Sequence, residues 1–153
     1  MLGDVVEAAL PLGRVVVVTD DSIVVPPGAE LLADPGGGQG AAVQAGLATV
    51  AGHALVVNAD LPLVTAAVLH RLEAAGLALV ESTDGTTNAL SLPDPELFAP
   101  LYGPGSAARF RAHAPFATLA IPELVEDVDT VADLERLAPL GGPRTRSLLA
   151  VRA

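Results

Sequence analysis

Five carboxylates stand where a carboxylate is costly. Asp20 and Asp21 close the apolar run RVVVVTD, Asp60 closes HALVVNAD, and Asp127 and Asp129 lie in LVEDVDT. An acid at the end of a buried run is tolerated when something compensates its charge. If the runs are parallel strands, their ends meet on one rim, where ligands of open α/β sheets gather. Carboxylates meeting there repel unless a cation lies between them. Mg²⁺ suits the case, because it takes one or two carboxylates together with phosphate oxygens and water. Each acid also has a plain reading as a solvated loop residue. Asp129-Thr130 ahead of VADLERL reads equally as a helix N-cap.

Two glycine-bearing loops accompany the acids. In PGGGQG (35–40) the glycines let backbone approach a ligand closely, and the Gln39 amide can read a base edge. In GPGS (103–106) two glycines and Ser106 precede a helical segment. Backbone N–H groups at a helix start favour an anion, and Arg109 lies one turn further on. DGTTN (84–88) adds two hydroxyls and an amide near the same rim. Without a ligand these are a loop, a capped helix and a turn. His53, His70 and His113 show no metal-ligand spacing and read as structural, and no nucleophile arrangement is legible.

The elements that position these residues alternate. RVVVVTD, a short stretch near Glu30–Ala33, HALVVNAD, LALVES and NALSLP read as strands; FATLAIP and LVEDV read as two more. Helices are expected at the end of MLGDVVEAAL, in AAVQAGLATVAG, in AAVLHRLEAAG after Thr65, from Ser106, and in VADLERLA after Thr130. Alternating strands and helices imply a parallel-rich sheet covered on both faces. The 153 residues suit one domain over 1–140, with a loose tail at 141–153. With 51% hydrophobic residues the chain is not disordered. Net charge is −10 and all eight cations are Arg, which excludes a basic nucleic-acid groove. Anionic substrates must then be held by Arg, helix starts, backbone amides or a divalent cation. There is no cysteine, no run of about 18 apolar residues that would cross a bilayer, and no signal-peptide pattern at the start. No membrane partner and a cytoplasmic location are expected.

Taken in order, NADLPLVTAAVLHRL, STDGTTNALSLPDPELFAPLYGPGSAARFRAHA and EDVDTVADLERL resemble the 2-phospho-L-lactate and phosphoenolpyruvate guanylyltransferases of deazaflavin coenzyme F-420 biosynthesis. TNAL…F…YGPGS…H carries most of the likeness. ADLP and DVDT recur across the wider nucleotidyltransferase fold, including molybdenum-cofactor enzymes. The resemblance implies a Rossmann-like, GT-A-like α/β/α sandwich with a mostly parallel sheet. It implies transfer of GMP from GTP to phosphoenolpyruvate or 2-phospho-L-lactate with release of pyrophosphate. On this likeness Asp60 and Asp129 are the catalytic Mg²⁺ carboxylates. Thr87, Gly103 and Ser106 cradle the phospho-acid. Gly36, Gly37, Gly38, Gln39 and Gly40 form the guanine side.

The resemblance also implies a first strand and a basic triphosphate loop that precede anything in this chain. That strand would lie between RVVVVTD and HALVVNAD, leaving a gap of about 10 Å, twice the spacing of paired strands. The two strands then either close up or keep open apolar edges that favour a homodimer. The chain as given is expected to be weakly active or inactive. Two other readings stay open: a non-catalytic binding or assembly module on the same fold, and a molybdenum-cofactor-type nucleotidyltransferase.

Overall fold

The computed structural model describes residues 1–20 and 23–150. Helix α1 (Leu2–Ala9) runs into a short 3-10 turn at Leu10–Leu12. The four consecutive valines that follow are stiff at χ1 and suit a pleated backbone; they form β1 (Val15–Thr19), which pairs in parallel with β2 (Ala29–Ala33). Next come α2 (Gln39–Leu47), β3 (Ala54–Val57) and α3 (Ala66–Glu73). Helix α3 starts where expected, with the Thr65 hydroxyl accepting from the Val68 N–H. Strands β4 (Ala78–Glu81) and β5 (Thr87–Leu92) form a hairpin. Helix α4 (Ser106–His113), β6 (Ala117–Thr118), α5 (Pro122–Val125), α6 (Val131–Leu137) and α7 (Pro143–Ala150) follow among the described residues. No helix among the described residues is long and apolar enough to cross a membrane.

The second sheet has the order β3-β5-β4-β6. Strands β3, β4 and β6 share one direction, and β5 is reversed between β3 and β4. Two cores flank this sheet. Val80 and Ala89 face Val5, Val68, Leu69, Leu72 and Leu124 from α1, α3 and α5. Leu79, Leu90 and Leu92 face Leu47, Ala107 and Phe110 from α2 and α4. Alternate residues of each strand therefore serve opposite layers, which gives the expected α/β/α sandwich.

The strands formed by RVVVVTD and HALVVNAD lie in separate sheets. Strand β1 pairs with β2 and β3 pairs with β5, and among the described residues no ladder joins the two groups. Both apolar strands are half-buried as a result.

Two expectations are corrected. LVEDV (124–128) is not a strand. Pro122 opens α5, a role for which its fixed φ and missing N–H suit it, and Leu124 and Val125 lie in that helix. Residues 126–129 continue without a ladder partner, although the Val128 N–H donates to the Asp60 carbonyl at 3.2 Å. The tail is also not loose through residue 150, because α7 docks on α1. The Asp4 carboxylate, buried in α1, accepts from the Thr145 N–H and hydroxyl at 2.6 Å each and from the Arg144 N–H at 3.1 Å. It caps α7 from 141 positions away, so no local signal announced the helix. Gly142 permits the approach: a Cβ there would lie 2.4 Å from the Asp4 carboxyl carbon.

Candidate functional site

Two adjoining clefts open at the carboxyl ends of β3 and β4 and the start of α4. The larger, about 490 Å³, is lined by Gly37, Gly38, Gln39, Gly40, Tyr102 and Gly103, with Ala41, Gln44 and Pro100. The smaller, about 200 Å³, shares Gln39, Tyr102 and Gly103 and adds four carboxylates, Asp60, Asp84, Asp127 and Asp129. Asn58, Thr86, Thr87, Asn88 and Ser106 complete its wall. Among the described residues no cationic side chain lines either cleft.

Three of the five acids singled out in the sequence thus converge. Asp60 leaves the end of β3, and the Val128 N–H bond to its carbonyl draws the 127–129 segment against it. Asp127 and Asp129 both line the cleft; two residues apart in extended backbone, they share a side and Val128 turns away. Asp20 does not reach either cleft, and Asp21 lies outside the described residues. Thr130, not Asp129, caps α6, in a capping box with Asp133, which leaves Asp129 free for another role.

The charges in the cleft oppose one another. Asp60 is pushed above the ordinary carboxylate range, first by burial and then by Asp127 and Asp129; a backbone hydrogen bond only partly offsets this. Its Oδ1 is buried and meets no hydrogen-bond donor. Asp129 is raised as well, chiefly by Asp127 and then by burial, Asp84 and Asp133. Asp127 accepts from the Ser82 hydroxyl at 3.2 Å. Asp84 is lowered by its bonds from the Thr86 hydroxyl and N–H, so it is already satisfied.

Among the described residues no group of three or more His, Cys, Asp or Glu is placed to hold a metal ion unaided. A small carboxylate set completed by phosphate oxygens and water is nevertheless what Mg²⁺ takes. The orphaned Asp60 oxygen beside two further acids fits such an ion.

Thr87 and Ser106 meet at the cleft floor, where the Ser106 hydroxyl donates to Thr87 Oγ1 at 3.0 Å. Two hydroxyls sharing one bond keep a second O–H for a ligand oxygen. Two of the first α4 amides are already engaged, Ser106 N–H with the Gly103 carbonyl and Ala107 N–H with that of Gly85. Arg109, considered from the sequence as an anion contact, instead donates to the carbonyls of Leu101, Tyr102 and Pro104 and holds the GPGS loop in shape. Gly37, Gly38, Gln39 and Gly40 line the larger cleft, whereas Gly36 forms the turn behind it, donating to the Asp34 carboxylate. Gly40 is required by packing: a Cβ there would meet Pro100 at 2.9 Å. Asn58 and Tyr102 carried no role in the sequence reading, and Asn88 entered it only as the amide of DGTTN. A lone amide inside the apolar run ALVVNA was the available signal for Asn58.

A family profile described as a MobA-like NTP transferase domain matches residues 1–116. A protein of Thermomonospora curvata named phosphoenolpyruvate guanylyltransferase is 35% identical, covering 96% of this chain and 74% of its own. The chain belongs to the MobA-like NTP transferase family. A Salinispora arenicola protein of the same name is 37% identical over 98% of this chain and 78% of its own. One from Sphaerobacter thermophilus is 41% identical over 61% of this chain, a match that spans only 51% of that relative. A solved structure titled a hypothetical transferase from Thermus thermophilus superposes with a TM-score of 0.62 at 23% identity, covering 87% of this chain and 85% of its own, and confirms the fold.

Proposed function

We propose that this protein is a guanylyltransferase that moves GMP from GTP to a small phospho-acid, phosphoenolpyruvate or 2-phospho-L-lactate, in coenzyme F-420 biosynthesis. The observation that carries the reading is the four-acid cleft beside the Thr87–Ser106 hydroxyl pair. Anionic phosphates enter such a cleft only if its charge is compensated. Asp60 and Asp129 would hold Mg²⁺, with Asp127 alongside, tied to Ser82. When bound, that ion neutralises phosphate charge and orients the reacting oxygens.

The side chains then need only bind and align. Gly37–Gly40 and Gln39 face the base side, where backbone can approach a flat ring closely. Thr87, Gly103 and Ser106 hold the phosphate of the phospho-acid. One oxygen of that phosphate attacks the α-phosphorus of GTP, the bond from that phosphorus to the bridging oxygen breaks, and pyrophosphate leaves with the electron pair. No proton has to move, and no protein nucleophile is used. The names carried by the relatives support GMP as the transferred group and phosphoenolpyruvate as the acceptor.

The test is pyrophosphate release from GTP with each phospho-acid and Mg²⁺, using this chain and a longer native form if the source cells contain one. Acceptor-dependent release that Ser106→Ala abolishes supports the reading. No release from any form, or release indifferent to the acceptor, refutes it. The chain as given is expected to turn over more slowly than about 1 s⁻¹.

A second reading, an assembly module on the same fold, draws on the half-buried apolar strands β1 and β3 where the sheet divides. Concentration-dependent dimerisation without GTP affinity would favour it.

A further inference from the structure

Three amides run in line across the floor of the cleft. Gln39 Nε2 donates to Asn58 Oδ1 at 2.9 Å. Asn58 Nδ2 donates to Asn88 Oδ1 at 3.3 Å and to the Thr87 carbonyl at 3.4 Å. Asn88 Nδ2 donates to the carbonyls of Leu124 and Val125, at 3.1 Å each. Asn88 is 1% exposed. An amide so deep is costly unless its polar atoms are bonded, and here the oxygen and both N–H donors are used.

The two carbonyls explain the arrangement. Helix α5 has only four residues, and its C-cap, Glu126, is extended and returns no N–H to it. The last carbonyls of a helix have no partner within it. Asn88 supplies both missing donors from the neighbouring strand. Val128, three residues past Val125, then bonds the Asp60 carbonyl, with Asp127 and Asp129 on either side of it. The direction in which the chain leaves α5 therefore decides whether the acids meet.

We infer that Asn88 is a positioning residue for the acidic cleft, clamping the exit of α5 so that Asp127 and Asp129 arrive beside Asp60, with Asn58 orienting the Asn88 amide. A small apolar residue would fill the same strand position, but it would leave the end of α5 without donors. Positioning by outer hydrogen bonds is the usual means by which ligand side chains are held in a metal site. The inference rests on reading the acids as a cation site, but its first test needs no cation.

That test is amide hydrogen exchange of the metal-free chain, wild type against Asn88→Ala. The Val128 amide should exchange at least about tenfold faster in the variant, while β4 amides keep their protection. Mn²⁺ affinity, measured by calorimetry with the metal alone, should fall about 10–100-fold. Phe116→Leu, a core change on the opposite face, should alter neither reading and thereby separates positioning from general loosening. If Asn88→Ala does not fold, Asn58→Ala carries the same two expectations, since its loss frees the Asn88 amide to turn. Unchanged Val128 exchange in the folded variant overturns the inference. If wild type binds no Mn²⁺, the cation reading falls, and Val128 exchange by itself decides the positioning role.

Discussion

Replacing Asp60 with asparagine should stabilise the metal-free protein at neutral pH. The amide keeps the volume of the carboxyl group and removes a charge that the cleft disfavours three ways: burial, the nearby Asp127 and the nearby Asp129. It also brings an NH₂ that can meet acceptors where Oδ1 now meets no donor. A buried polar group without a partner costs about 1–3 kcal/mol. The cleft is open to solvent on one side, which screens the charges, so the gain is set near the low end, about 1 kcal/mol. For a chain of this size that is about 3 °C in Tm.

The pH dependence has a definite sign. The folded-state pKa of Asp60 is raised, so between the ordinary value, about 3.9, and the raised value the folded state binds more protons than the unfolded state. Wild-type stability falls as pH rises through that window and the full penalty persists above it. The advantage of Asp60→Asn is therefore absent below the window and constant above it. Mg²⁺ should reverse the order, stabilising wild type by mass action and the variant far less. Urea melts in EDTA and in excess Mg²⁺, at neutral pH and near pH 3.5, provide the assay. A variant less stable than wild type in EDTA at neutral pH, or a difference that does not vary with pH, would refute the argument.

Asp4→Ala should detach α7 at a cost of about 2–3 kcal/mol, because it strips three hydrogen bonds from the start of that helix; limited proteolysis near residue 143 reports it. Burial would raise the Asp4 pKa, but hydrogen bonds from Thr145 and Arg144 outweigh it and hold the value low. The contribution is thus complete above the ordinary carboxylate range and is lost as pH falls through the lowered value. Gly40→Ala would favour a helix by about 1 kcal/mol in the open. Against the Pro100 backbone it should instead destabilise by about 1–3 kcal/mol and raise the GTP KM more than it lowers kcat, as steady-state kinetics would show. Thr65→Ala removes the α3 N-cap and should lower stability by about 1 kcal/mol in a urea melt without changing Mn²⁺ affinity.

Short-range signals were legible in the sequence because their causes are short-range. The valine run makes β1, Thr65 and Thr130 cap α3 and α6 through amides three residues on, and Gly103–Gly105 lead into α4 at Ser106. The acids and the hydroxyls of the cleft could be named from residue type, since an acid closing an apolar run requires compensation. Residue patterns could not say whether β1 and β3 would pair; among the described residues they lie in separate sheets.

What the sequence left unsettled involves partners far apart along the chain. Arg109 follows GPGS as an anion contact would, yet carbonyls of the preceding loop take its donors. LVEDV has the apolar content of a strand, but Pro122 and the Asn88 amide make it the end of a helix. Helix α7 takes its cap from Asp4. Local pattern determines which conformation a segment can adopt. Which donor reaches which acceptor across the core depends on how the layers pack, and in this protein that packing brings Asp60, Asp127 and Asp129 into one cleft.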